Sequence, residues 1–272
     1  GYQWSDELRQ KAGVDAPLIL RSLWQYLKGW EDEENHAPWL RKSILLISHS
    51  FTNWRLSENV APWRWALLPE IYARWCKLSK GRWPRGYCGN KTLSDRWVRQ
   101  AAESIVGAIS ASPEGFLARK FIHELTENTP WPGALTAGEY GRDARLRPWL
   151  ERAVGLGMGV FDLVIIDEAH KSRGQDSGLN RLLNEVVLQS GVARCLAMTA
   201  TPVELDAAQW TQMLERIGVD EGERIEATTA IAQYVQAIAS VRQCPSDPEI
   251  REKYKESARL FWQALSPFVL RR

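Results

Sequence analysis

Residues 160–166, Val-Phe-Asp-Leu-Val-Ile-Ile, form a nearly unbroken apolar run that stops at Asp167-Glu168. It reads as the clearest β-strand in the chain. A second run, Arg194-Cys195-Leu196-Ala197-Met198, ends in Thr199-Ala200-Thr201-Pro202, and the sequence between the two holds a helix over about 178–189. Strands alternating with helices predict a parallel α/β sheet. In such a sheet, ligands bind at the carboxyl ends of the strands, where loop backbones and helix N-termini converge. Asp167 there suits Mg²⁺, directly or through water, and Glu168 suits orienting or deprotonating a water that attacks a phosphoryl group. Alone, Asp167 serves equally as a helix cap and the Thr-Pro segment as a turn. The specificity lies in the combination: carboxylate pair, helix-sized spacer, then Met198-Thr199-Ala200-Thr201-Pro202.

The rest of the chain extends the pattern. Leu18, Ile19, Leu23, Tyr26 and Leu27 recur at helical spacing ahead of Gly29 and the acidic run 31–34. Ser43-Ile44-Leu45-Leu46-Ile47 predicts a strand buried on both faces. Residues 67–78 have helical spacing broken at Gly81-Arg82-Trp83-Pro84-Arg85-Gly86. Ile105-Val106-Gly107-Ala108-Ile109 predicts a third strand, followed by a helix through Leu117, Phe121, Ile122 and Leu125. An irregular loop is expected over 129–147, and a final helix over 247–265 carries Tyr254, Ala258, Phe261, Trp262 and Leu265 on one face. Fourteen Trp are present, twelve at or before Trp149, so the two parts of the chain differ in core material. The Trp-rich segment 54–97 suits a core, with base stacking as its other use.

These motifs resemble the first RecA-like motor lobe of superfamily 2 helicases and translocases. Asp167-Glu168-Ala169-His170 matches motif II, the DEAH form of the Walker B element, and Thr199-Ala200-Thr201-Pro202 matches motif III. Pro202-Val203-Glu204-Leu205-Asp206, with Trp210, Met213, Leu214 and Ile217 after it, is similar to the Swi/Snf-type branch. So is the ending Ser266-Pro267-Phe268-Val269-Leu270-Arg271-Arg272. Ser48-His49-Ser50 with Asn53-Trp54 is similar to motif Ia, and Ser110 and Ser112 occupy the place of motif Ib. The resemblance implies a three-layer α/β sandwich of the RecA-like type over 1–217, with a mainly parallel central sheet. A Trp-rich insertion is expected over about 52–100, and a helical extension over 218–272 leads toward a second lobe. It implies an ATP-dependent motor on double-stranded DNA, within a multi-protein complex, in the bacterial cytoplasm at the nucleoid or in a eukaryotic nucleus. Asp167 would anchor Mg²⁺ and Glu168 would activate water. His170, Thr199 and Thr201 would couple nucleotide state to DNA, and Ser48, His49, Ser50, Ser110 and Ser112 would contact its phosphates. Arg271 and Arg272 would lie at the lobe junction.

One required part is missing. A motor ATPase needs G-x-x-x-x-G-K-[ST], and no such motif occurs in these 272 residues. Its expected position falls at Ala12-Gly13-Val14-Asp15-Ala16-Pro17-Leu18, where Asp15 would repel a triphosphate. The choice lies between a motor whose P-loop is not in this sequence and a catalytically inactive RecA-like lobe acting as a DNA- or protein-binding scaffold. Composition narrows the field further. A formal charge of +2 shows no global polyanion attraction, and no apolar run reaches the roughly 20 residues of a membrane span. Cys76, Cys88, Cys195 and Cys244 lie far apart with no C-x-x-C pair, against structural zinc or a disulfide framework. His36, His49, His123 and His170 form no H-E-x-x-H pattern, and no G-x-S-x-G occurs.

Overall fold

In a computed structural model the described residues are 2–14, 19–31, 43–54, 56, 62–87, 95–169, 178–198 and 207–269. They are mostly helical, 66%, with one two-stranded parallel sheet. The chain divides into two compact units, one of residues 1–161 and 174–191, the other of 162–173 and 192–272. Among the described residues no helix is long and apolar enough to cross a membrane.

The first unit contains α1 (Tyr2–Ala12), α2 (Leu23–Lys28), α3 (Leu67–Lys80), α4 (Arg96–Ser110), α5 (Leu117–Asn128), α6 (Arg147–Met158) and the short α7 (Gly178–Arg181). Local chemistry sets the ends. The Ser22 hydroxyl accepts from the Gln25 N–H to start α2, and the Asp95 carboxylate accepts from the Val98 N–H to start α4. Gly81, at φ 71°, stops α3. The core forms where α3, α4, α5 and α6 pack on one another. α4 gives it Val98, Ala101, Ala102, Ile105, Val106 and Ile109, a stripe at spacings of three and four.

That stripe corrects the third strand expected at 105–109. Val, Gly and Ile in five consecutive positions imitate a strand, but the window from Asp95 onward has helical period and its own cap. Another expectation is met only in part. Ile47 pairs with Leu20 in a single parallel bridge, through Leu20 N–H to Leu46 O at 2.9 Å and Ser48 N–H to Leu20 O at 2.8 Å. Residues 44–47 are half-buried rather than covered on both faces. Because Leu20 is engaged there, α2 begins only at Leu23. Residues 129–147 hold two short 3-10 turns, Gly133–Leu135 and Ala137–Tyr140.

β1 (Val160–Ile166) and β2 (Leu188–Ala197) are the paired strands. β2 starts earlier than expected, because the helix predicted to 189 ends in one wide turn, Leu182–Val186. In the second unit follow α8 (Ala207–Arg216), α9 (Glu221–Gln243) and α10 (Pro248–Leu265). Asp220 caps α9, and Asp247 with Pro248 starts α10 where the final helix was expected. Trp210, Leu214, Ala227, Ile231 and Leu265 form its core, with Phe261 edge-on to Trp210. Among the described residues the sheet has these two strands, and a central sheet of the RecA type is not shown.

Candidate functional site

The carboxylate pair stands where the sequence puts it, directly after β1. The Met198 N–H donates to Ile166 O at 2.8 Å, and the Ala169 N–H donates to Met198 O at 2.8 Å. The end of β1 and the end of β2 are thus neighbours, with Asp167-Glu168 flanked on both sides by that pairing. Ile166 and Ala169 are buried, Asp167 is exposed and Glu168 is half-buried. Among the described residues Glu168 is the one non-glycine with positive φ, 54°. Glutamate occupies that region uncommonly, and such backbone collects at functional turns. His170, Thr199 and Thr201, and Arg271 and Arg272, lie outside the described residues.

The described residues contain no group of three or more His, Cys, Asp and Glu able to cage a metal. Mg²⁺ does not require one. It keeps several waters and is held by one or two carboxylates together with substrate phosphates, so an exposed Asp167 fits that role. Of the segment where a phosphate-binding loop is expected, residues 12–14 are among the described ones. Gly13 has φ 63° and closes α1, with the Val14 N–H reaching back to Leu8 O at 3.1 Å. This is the carbonyl end of a helix, opposite in polarity to the amide end that cradles phosphate. The Gly13 position therefore offers no cradle; residues 15–18 lie outside the described ones.

In the first unit, Ser48-His49-Ser50 forms a turn after the Leu20–Ile47 bridge, with the Ser48 and Ser50 hydroxyls 2.9 Å apart. The turn is exposed at Ser50 and firmly based: the Thr52 hydroxyl donates to Gly178 O at 2.9 Å. A Cβ at Gly178 would meet Asn53 Oδ1 at 3.0 Å and His49 O at 3.1 Å, so any larger residue would have to push these neighbours back by a few tenths of an ångström. Ser110 and Ser112 end α4 rather than a strand. Their hydroxyls donate to Gly107 O at 2.8 Å and Ile109 O at 2.6 Å, and Arg119 donates to the Ser110 carbonyl and the Ser112 hydroxyl. As hydroxyl donors both are thus engaged by the α4 carbonyls.

The sequence reading missed the network beneath the Ser48 turn. Arg147, buried, donates from Nη2 to Thr52 O at 2.8 Å, from Nη1 to Trp54 O at 3.3 Å and from Nε to Glu151 Oε1 at 2.8 Å. Its guanidinium also lies 4.7 Å from the Trp54 ring centre. Glu151 Oε1 accepts from Arg181 as well, while Oε2 has no hydrogen-bond partner among the described residues. Burial pushes the Glu151 carboxyl above the ordinary glutamate value and pulls Arg147 below the ordinary arginine value, each ion resisting the other's neutralisation. The available signal was Arg and Glu at i, i+4 on an otherwise apolar helix face.

No family model matches the chain, and no curated protein or solved structure matches it.

Proposed function

We propose that the chain is the first RecA-like motor lobe of a superfamily 2 DEAH-type helicase or translocase, nearest the Swi/Snf branch, which couples ATP hydrolysis to movement on DNA. The observation that supports it is the hydrogen bonding of Ile166 and Ala169 to Met198, which sets the ends of β1 and β2 side by side although they lie about thirty residues apart in sequence. In this reading Asp167 holds Mg²⁺, and Glu168 orients the water that attacks the γ-phosphate. The bound Mg²⁺ would neutralise charge that develops on the phosphate oxygens. His170, Thr199 and Thr201 transmit nucleotide state, and the Ser48-His49-Ser50 turn contacts the backbone of double-stranded DNA. A second RecA-like lobe completes the motor, which works at the nucleoid or in a nucleus. The polarity of Gly13 favours one competing reading, a catalytically inactive RecA-like scaffold that binds DNA or protein.

Calorimetric titration of this chain with Mg²⁺-ATP separates the two. Micromolar binding that disappears in Asp167→Ala, with circular dichroism unchanged, is the motor outcome. Binding that survives Asp167→Ala sinks the site assignment, and no binding by the native chain leaves the scaffold.

A further inference from the structure

The Trp-rich segment 54–97 divides on folding. Trp54, Trp65 and Trp75 are buried in the first unit, whereas Trp83 keeps 37% of its surface open. Trp83 sits in the turn that follows α3, which together with the last turn of that helix makes the segment Lys77-Leu78-Ser79-Lys80-Gly81-Arg82-Trp83-Pro84-Arg85-Gly86-Tyr87, with four cations and no carboxylate. Lys77, Lys80, Arg82 and Arg85 are all exposed, and none has a carboxylate within ion-pair distance among the described residues. One face of the Trp83 indole lies on Tyr87, with centroids 4.5 Å apart and planes 13° from parallel.

This turn is held in shape before any ligand arrives. Gly81 at φ 71° and Gly86 at φ 84° take conformations that residues with a Cβ rarely adopt. The Lys77 ammonium donates to Gly81 O at 2.9 Å, and the Trp131 indole N–H donates to Arg85 O at 2.7 Å. Trp131 is in turn stacked on Tyr72 of α3, with centroids 5.1 Å apart. The Tyr87 hydroxyl donates to the buried Glu70 carboxylate at 2.9 Å. Burial and the Glu70 charge raise the Tyr87 phenol far above its ordinary value, so it stays a donor. Ordering cost on binding is therefore low.

We propose that the turn 77–87 is a binding site for single-stranded nucleic acid, with Trp83 stacking an unpaired base and Arg82, Arg85 and Lys80 neutralising the adjacent phosphates. Cations on a stacking platform are what an unpaired strand requires, since every base has a π-face and every residue of the strand a charge. A closed duplex presents phosphates but hides its base faces, and an anionic bilayer or polyphosphate offers no ring. The site lies apart from Asp167 and Glu168 in the chain and is tested without nucleotide, so its success or failure is independent of the motor reading.

The test is fluorescence anisotropy of a labelled oligo(dT) of about 15 nucleotides, within the length such sites cover, against the whole 272-residue chain. A duplex of equal length and inorganic polyphosphate serve as competitors. Trp83→Ala should weaken oligo(dT) binding by about 5- to 100-fold, the worth of one stacked base. Trp83→Phe should restore most of that affinity. Arg82→Ala with Arg85→Ala should reduce the slope of log affinity against log salt by about 0.7 for each phosphate no longer neutralised. Trp83 is exposed at a turn, so circular dichroism of each variant should match the native chain. Equal affinity of Trp83→Ala and native chain overturns the proposal. So does competition by duplex or polyphosphate as strong as by unlabelled oligo(dT).

Discussion

Glu151 is a fully buried carboxylate of the first unit that answers two guanidiniums, Arg147 and Arg181. Removing one partner of a buried pair strands the other in a poor solvent. Glu151→Ala should therefore cost about 3–5 kcal/mol, read as a lowered urea midpoint; a change below about 1 kcal/mol would mean that Arg147 is satisfied by the Thr52, Trp54 and Tyr140 carbonyls. Glu70 raises a different question, since Arg74 and Tyr87 contact one oxygen and the other has no hydrogen-bond partner among the described residues. Burial is the largest influence on it and raises its carboxyl above the ordinary glutamate value. A raised carboxyl holds its proton more tightly folded than unfolded, so that stabilisation is full below the ordinary value and fades as pH climbs through the raised one. Glu70→Gln should thus gain in thermal midpoint relative to the native chain between about pH 4 and pH 7. A gap that stays constant or narrows over that range contradicts the direction. Arg74 keeps Glu103 in the variant, so the comparison leaves no stranded cation.

Among elements, α6 shows how closely the helices of the first unit approach. The Tyr26 hydroxyl donates to Val154 O at 3.0 Å, and a Cβ at Gly157 would strike that hydroxyl as well as Ile105 Cδ1 and Trp30 Cζ2, both at 2.8 Å. Alanine favours a helix interior over glycine by up to about 1 kcal/mol, whereas overpacking costs about 1–3 kcal/mol. Gly157→Ala should come out destabilising in urea unfolding; a neutral or stabilising result would show that α2 can recede. The helices with a sustained apolar period, α3, α5 and α10, were legible in the sequence, as was β1; Gly81 marked the end of α3 and Asp247-Pro248 the start of α10. α4 was not, because a five-residue window at 105–109 cannot separate strand from helix, whereas Val98 to Ile109 can. β1 was read correctly in position, yet Leu163 and Ile165 are exposed, as is Leu196 of β2. Apolar sequence records what a strand tolerates on each side and leaves open what covers it.

For the whole molecule, the Asp167→Ala titration carries the functional reading, since Asp167-Glu168 and the strand ends beside it were legible from spacing alone. The Arg147 network was not, because it unites residues far apart in sequence through main-chain carbonyls, which any residue type supplies. The same network has a consequence in time. Thr52 O waits for an arginine 95 residues downstream, and the Val154 carbonyl that receives the Tyr26 hydroxyl lies 128 residues after it. At about 5–20 residues per second of synthesis, the Ser48 turn emerges roughly 5–20 s before Arg147 exists to hold it. During that interval the turn has only its own short-range bonds, such as the Trp54 N–H to Thr52 O at 2.8 Å, and the guanidinium that later ties it to α6 is still to be made.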